Sequence, residues 1–283
     1  MTVSPEDIDD VPTQPLGARS LLLTMLGEFV YPAGGSVWTS TVVSGLATVG
    51  ITERNARQAL ARLGDDGLIE PQRHGRSVRW LLTDTGRALL TTGAERIYSF
   101  GARAEAWDGH WLVVMCSIPE SQRAKRHQLR SRLTFEGFGF LSPTIAVSPH
   151  PDREKAANDI IVELGLADTA ITFLSGTGSM TSDATVLAAA WDLEALSDDY
   201  ARFLDEFDAE PSGPDPSAPA IAFGDLLRLV DTWRRFPFVD PELPSTLLPE
   251  TWIGARAQQR FDSRRAAQHP AAVTWFAEAE AAV

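Results

Sequence analysis

Residues 51–90, ITERNARQALARLGDDGLIEPQRHGRSVRWLLTDTGRALL, constrain the fold more than any other stretch, because their periodicity switches from helical to alternating and back. Thr52 has the side chain of an N-cap, and Glu53 sits in the first turn, where the helix dipole favours an acid. Ala56, Ala59, Leu60 and Leu63 recur at helical spacing, which turns Arg54, Asn55, Arg57, Gln58 and Arg62 to the opposite face. Gly64 and Gly67 close this helix. Beyond it, GLIEPQ and SVRWLLT flank RHGR; Gly75 supplies a turn, and Val78, Trp80 and Leu82 alternate along the second strand. Thr83 or Asp84 then opens another helix, DTGRALLTTGAERIYSF.

Upstream, ARSLLLTMLGEFVY is long enough for a mostly apolar helix stopped by Pro32 and the Gly34-Gly35 pair, and SVWTSTVVSGLATVG predicts a shorter helix ending near Gly50. Three helices, a basic-tipped hairpin and a closing helix over residues 16–100 make a winged helix-turn-helix. In that motif the second helix of the turn lies in the major groove and the wing touches the backbone. Seven arginines against five acids make residues 51–90 locally positive within a chain of net charge -13. Arginine's planar fork holds guanine O6 and N7 or grips phosphate, so Arg57 is the candidate base reader, with Asn55 and Gln58 suited to adenine. Arg54 and Arg62 suit phosphates, as do Arg73, Arg76 and Arg79 around the Gly75 turn. Double-stranded operator DNA is the implied partner. The alternative is a winged helix without DNA specificity, used for protein contact, or arginines that merely solvate a helix; the composition of helix face and wing favours DNA.

The overall acidity does not oppose this. Residues 1–15 carry four acids and no base, and residues 191–215 carry nine acids against Arg202 alone, so the two segments hold -12 of the -13. Screening confines the field of a distant acidic patch to about 10 Å at 0.1 M salt. The single Cys116, in WLVVMCSI, excludes a disulfide framework and reads as a buried strand thiol. No basic start precedes an apolar run, and LLLTMLGEFV is too short to span a bilayer, so a cytoplasmic protein without membrane association is expected. His74, His110, His127, His150 and His269 are dispersed, without H-E-x-x-H or C-x-x-C, and SGTGS at 175 is neither a nucleophile elbow nor a complete dinucleotide fingerprint. Neither an enzyme nor a cofactor or metal site is expected.

From about residue 107 the pattern changes. HWLVVMCSIP reads as a strand, ESQRAKRHQLRSRLTFEG as a helix, FGFLS and TIAVSP as short strands, DREKAANDIIVELGL as a helix and TAITFLSG as a strand. The order βαββαβ over 107–180 predicts a ferredoxin-like sheet with two helices on one face. Arg123, Arg126 and Arg130 share one side of the first of these helices and could form an anion site, although a solvated face has the same composition. Residues 185–283 read as a helical C-terminal domain containing WDLEALSDDYARFLDEF and FGDLLRLVDTWRRF, with a Pro-rich flexible loop near 209–219. Residues 1–15 read as a disordered acidic tail. The fold class expected is therefore α+β and multidomain.

WLVVMCSIPESQRAKRHQLRSRLTFEGFGFL, WDLEALSDDYARFL and LVDTWRRFPFVDPELPSTLLPETWIGARA, downstream of the winged helix, resemble the PaaX family of bacterial transcriptional regulators. The Trp-Arg, Pro-Phe, Asp-Pro, Leu-Leu-Pro and Trp-x-Gly series at 233–254 is the most specific part. The resemblance implies a homodimeric repressor of aromatic catabolism, typically of phenylacetate, released by an aryl-CoA thioester. Its middle domain would be Cas2-like, a ferredoxin-like fold, which also brings in a nuclease-like enzyme as the less favoured alternative. A CoA thioester needs cations for its phosphates and an apolar pocket for its acyl group, so Arg123, Arg126 and Arg130 with Trp191, Trp233 and Trp252 are the candidate effector residues.

Overall fold

The computed structural model describes residues 17–101, 107–209 and 218–283; the acidic tail read at 1–15 and most of the Pro-rich loop lie outside them. The chain is mixed α and β, with two antiparallel sheets. It divides into two units: one contains residues 100–201 and 236–255, the other residues 17–99, 202–235 and 256–283. The helices after residue 185 contribute to both units.

In the first unit, strand β4 (Trp111–Cys116) leads to α5 (Arg123–Phe135), the β5 (Gly139–Ser142) and β6 (Ile145–Ser148) hairpin, α6 (Glu154–Glu163) and β7 (Ala170–Ser175). The strand order β5-β6-β4-β7, antiparallel at every pairing, is the split βαβ arrangement expected from the element order. Alternation along β4 assigns its two faces. Leu112, Val114 and Cys116 pack with Leu129 and Leu133 of α5 and Ala157, Ile160 and Ile161 of α6. Trp111 and Val113 face the other way, towards Val186 and Leu187 of α7 (Asp183–Ala190) and towards Leu243 and Leu247. Cys116 is buried, and burial raises its thiol pKa, as expected of a packing cysteine.

Strand β7 lies at the sheet edge. Ile171, Phe173 and Leu174 are 63%, 42% and 50% exposed, and the six residues AITFLS contain no charge, proline or glycine. Natural edge strands are usually blunted by such residues, so this edge is unprotected.

The segment after Trp233 closes the first unit through Tyr200, which is 1% exposed and stacks on Phe236 with ring centroids 4.2 Å apart. Its hydroxyl donates to Asp240 Oδ2 at 2.6 Å, and the Glu242 N–H donates to the same carboxylate at 2.7 Å. Burial, then the Asp240 charge, pushes the Tyr200 phenol well above the ordinary tyrosine range. A pKa raised in the folded state favours the protonated form there, so this contribution to stability is complete below about pH 10 and is lost as pH rises towards the folded value. Unfolding free energy is therefore expected to fall above pH 10, with Tyr200 contributing up to about 1.4 kcal/mol per pH unit. Urea unfolding at stepped alkaline pH, compared with Tyr200→Phe, measures it: the variant loses some stability at neutral pH but shows the shallower decline.

Candidate nucleic-acid interface

In the second unit, α1 (Ala18–Met25) continues as a π-helical turn, Leu26–Val30, and is followed by β1 (Ser36–Trp38), α2 (Thr39–Ala47) and α3 (Glu53–Asp65). Strands β2 (Ile69–His74) and β3 (Ser77–Leu82) form the hairpin, and α4 (Asp84–Ser99) closes the segment. The short β1 corrects the reading of residues 36–50 as helix alone. Ser36, Val37 and Trp38 pair with Leu81, Trp80 and Arg79, so the sheet order is β1-β3-β2. Helix periodicity starts only at Thr39, because the preceding three backbones are committed to a ladder.

Helix α3 has the expected two faces. Thr52 caps it, its side chain accepting the Asn55 N–H at 3.3 Å. Ala56, Ala59, Leu60 and Leu63 are buried, while Arg54, Asn55, Arg57, Gln58 and Arg62 are exposed along the other side. Glu53 holds Arg57, whose Nε donates to Oε1 at 2.8 Å; both side chains stay more than half exposed, so the pair orients the guanidinium more than it stabilises the helix. At the far end Asp66 pairs with Arg19 at 3.0 Å.

The hairpin turns at Gly75, with φ 61°, and His74 pairs with Ser77. Arg73 and Arg76 are exposed beside this tip. Arg79 is placed differently from its two companions. Its guanidinium lies over the Trp38 ring at 5.2 Å and reaches Glu280 Oε2 at 3.7 Å. Thr39 ties the hairpin to α2: its hydroxyl donates to Val78 O at 3.0 Å and accepts from Trp80 Nε1 at 3.1 Å.

Helices α9 (Pro219–Trp233) and α11 (Gly254–Ala281) support these elements, and Phe203 of α8 (Leu193–Phe207) meets Trp233 of α9 at 5.1 Å; the short α10 (Phe236–Val239) belongs to the first unit. Asp231 of α9 is buried and accepts from Ser20 Oγ at 2.8 Å and Thr24 Oγ1 at 2.7 Å, with Arg234 Nε 3.1 Å away. Glu28, equally buried, receives Arg265 of α11 at 2.6 Å and the Tyr98 hydroxyl of α4. Sequence periodicity shows both acids on apolar helices but not their pairing with Ser20, Thr24 and Arg265, which lie 207 to 237 positions away in the chain.

The candidate effector residues are not brought together. Arg123 is exposed on α5, Arg126 donates to Ile118 O and Glu120, and Arg130 lies over the Phe140 ring at 4.5 Å. Trp191 belongs to the core on the opposite sheet face, and Trp252 meets Tyr200 edge-on at 5.7 Å. Trp233 is fully buried in the second unit, stacked on Phe261 at 4.7 Å. A cavity of about 250 Å³ in the first unit is lined by Trp107, Asp108, Pro149, His150, Pro151, Asp152 and Pro244, none of them a candidate effector residue. Among the described residues no group of His, Cys, Asp and Glu could hold a metal ion, and no helix is long and apolar enough to cross a membrane.

Three family models match in sequence: a PaaX-like protein model over residues 17–86, the PaaX protein central Cas2-like domain over 104–187, and the PaaX-like protein C-terminal domain over 191–278. The chain is also 30% identical over 276 residues to the transcriptional repressor PaaX of Escherichia coli, covering 93% of this chain and 84% of that protein. The chain belongs to the PaaX family. Its split βαβ unit is accordingly the Cas2-like domain of a PaaX protein. An uncharacterized protein from Mycobacterium tuberculosis has a solved structure that superposes with a TM-score of 0.62 at 23% identity, covering 91% of this chain and 97% of that one. That likeness concerns the fold.

In this PaaX chain the Asp231 cluster ties α9 to α1, and removing the carboxylate leaves the Ser20 and buried Thr24 hydroxyls without that acceptor and Arg234 with Ser20 Oγ alone of the cluster. Asp231→Ala is expected to destabilise the second unit by roughly 3 kcal/mol, and Asp231→Asn by less because an acceptor oxygen remains. Chemical denaturation followed by tryptophan fluorescence checks the ranking.

Proposed function

We propose that the chain is a sequence-specific DNA-binding transcriptional repressor whose reader is a winged helix-turn-helix, with α3 as recognition helix and the β2–β3 hairpin as wing. The observation that carries this reading is the outward face of α3, where Arg54, Asn55, Arg57, Gln58 and Arg62 are all exposed next to a hairpin with arginines at its tip. The name of the Escherichia coli relative, a transcriptional repressor, supports it. Arg57, with Asn55 and Gln58, reads base edges; Arg54, Arg62, Arg73 and Arg76 hold phosphates. Arg79 joins them only if its contact with Glu280 is given up. The protein acts in the cytoplasm, without catalysis or a cofactor.

A homodimer matches the two-fold symmetry of operators, and the unprotected edge of β7 supports it: two antiparallel copies of AITFLS would satisfy each other's backbone groups and cover Ile171, Phe173 and Leu174. The regulated genes are those of aromatic, phenylacetate-type catabolism, and the effector is an aryl-CoA thioester such as phenylacetyl-CoA. Arg123, Arg126 and Arg130 of α5 are the proposed contacts for its phosphates. Trp191, Trp233 and Trp252 each have an aromatic or apolar core of their own, so the acyl group's pocket is assigned to none of them here.

Titrating the protein with duplex from its native upstream region, over a range of salt, tests the DNA reading. Log affinity is expected to fall linearly with log salt, by about 0.9 per phosphate neutralised. Arg57→Ala should cost about 1–3 kcal/mol on the operator and relax base preference, while Arg76→Ala weakens all sequences alike. Affinity unchanged in Arg57→Ala on every duplex would remove that residue from the reading position.

The effector is tested separately. A ligand releases DNA only if it binds the DNA-incompetent arrangement better, and a hundredfold preference supplies about 2.7 kcal/mol of coupling. Phenylacetyl-CoA is expected to raise the melting temperature of the DNA-free protein and to lower operator affinity, while phenylacetate does neither. A shift produced by the free acid and by no thioester would reject the thioester effector.

A further inference from the structure

Helix α2 begins with no acid in its first turn and no side chain capping it. The Trp38 N–H at its head donates instead to Glu280 Oε1, at 3.0 Å, from the last turn of α11. The other oxygen of this carboxylate is 3.7 Å from Arg79, and the Thr41 hydroxyl donates to Ala279 O at 3.3 Å beside it. One carboxylate from the end of the chain therefore engages both the positive end of α2 and one arginine of the proposed wing.

We propose that Glu280 is an autoinhibitory group, standing where the reader would hold a DNA backbone phosphate between the α2 amide and Arg79. The inference rests on the DNA reading above. Three observations carry it. The place is beside the wing tip, since the Trp38 ring meets His74 edge-on at 5.4 Å and His74 flanks the Gly75 turn between exposed Arg73 and Arg76. The arginine is incompletely served: 3.7 Å exceeds the 2.7–2.9 Å usual for a charge-assisted hydrogen bond, and Arg79 Nε is buried without a hydrogen-bond partner. The blocking group is on the last turn of α11, and helix ends fray before helix interiors open. Carboxylate and phosphate present the same negative acceptor oxygens, and the two cannot share one guanidinium and one amide. Release of the α11 end would thus add one phosphate contact to the reader, and its return would remove one.

Operator binding of the full chain, followed by fluorescence anisotropy over a range of salt, tests this with Glu280→Gln, Arg79→Ala, the double variant and a chain ending at Ala279. Glutamine keeps an acceptor for Trp38 N–H, and melting temperatures verify that each variant folds. Glu280→Gln is expected to bind about fivefold tighter, with the salt slope steeper by about 0.9 for each phosphate newly neutralised. The shortened chain should behave likewise, and Arg79→Ala should abolish the gain. Wild-type affinity and slope in both Glu280→Gln and the shortened chain would overturn the inference while leaving the DNA reading intact, as would a gain that survives Arg79→Ala. A wild-type protein with no salt-dependent binding to any duplex would instead overturn the DNA reading, and the inference with it.

Discussion

Helix α1 cannot be exposed on any broad face. Leu21, Leu22, Met25, Leu26, Phe29 and Val30 are all at most 3% exposed and cover half of the circumference of the helix and its π-helical continuation, and buried Thr24 and Glu28 extend the covered arc well beyond half. A helix apolar on more than one side needs partners on more than one side. Helices α2 and α3 supply one; α9 and α11 must supply the rest. Phe223 of α9 does so by stacking near Phe29 at 4.6 Å and Trp275 of α11 at 4.1 Å, with Phe276 closing on Phe29 from 5.7 Å. The approach is close: a Cβ on Gly45 of α2 would fall 3.0 Å from both Met25 and Phe223, and one on Gly224 of α9 would fall 3.0 Å from Thr48, so a larger residue would make those side chains shift. The core behind α2 and α3 is therefore completed by chain segments far from them in sequence.

That completion fixes where charge is tolerated. Glu28, in the π-helical turn after α1, and Asp231, on α9, are both buried, and each has donors arriving from another helix, Arg265 of α11 for Glu28 and Ser20 and Thr24 of α1 for Asp231. Replacing such pairs with apolar residues could be neutral for stability, but only the charged version penalises a helix that slides by a turn and leaves the acid unpaired. The same helix that brings Arg265 to Glu28 ends at Glu280. Its docking register, set in the buried core, is thus also what aims a carboxylate at the head of α2.

Much of the candidate site was legible in the sequence. The period of Ala56, Ala59, Leu60 and Leu63, the Thr52 cap and the Gly75 turn are local signals, and each element they define is formed. So is the βαββαβ order, because each strand there has an apolar face that a sheet must bury. Strand β1 escaped because three residues are too few to display alternation, and only pairing with Leu81, Trp80 and Arg79 makes them a strand. Arg79 looked like its neighbours because charge type was visible and orientation was not: one residue of register decides whether a wing arginine meets solvent or lies across Trp38. The partners of the C-terminal helices were illegible for a further reason. Helix periodicity says that α9 and α11 bury a face, but not against which distant partner.

The acidity of the chain finds its place in the same packing. Much of it belongs to the α8 segment, where Glu206 pairs with Arg228 of α9 at 2.5 Å, and Asp208 meets Arg256 and Arg260 of α11 at 3.4 Å. Arg264 also donates to Phe207 O at 2.9 Å, at the end of α8. These arginines are committed to neighbouring acids and carbonyls, so they add little to any long-range positive field. The arginines of α3 and the hairpin tip have fewer acidic neighbours, with Glu53 the acid paired to Arg57. A strongly acidic protein can then present a locally positive face without contradiction, because screening limits each patch to about 10 Å at 0.1 M salt and the nearest acids decide the local sign. By the same reasoning a single carboxylate placed inside that radius carries more weight for the local sign than the many on α8, which makes the position of Glu280 matter more than the net charge.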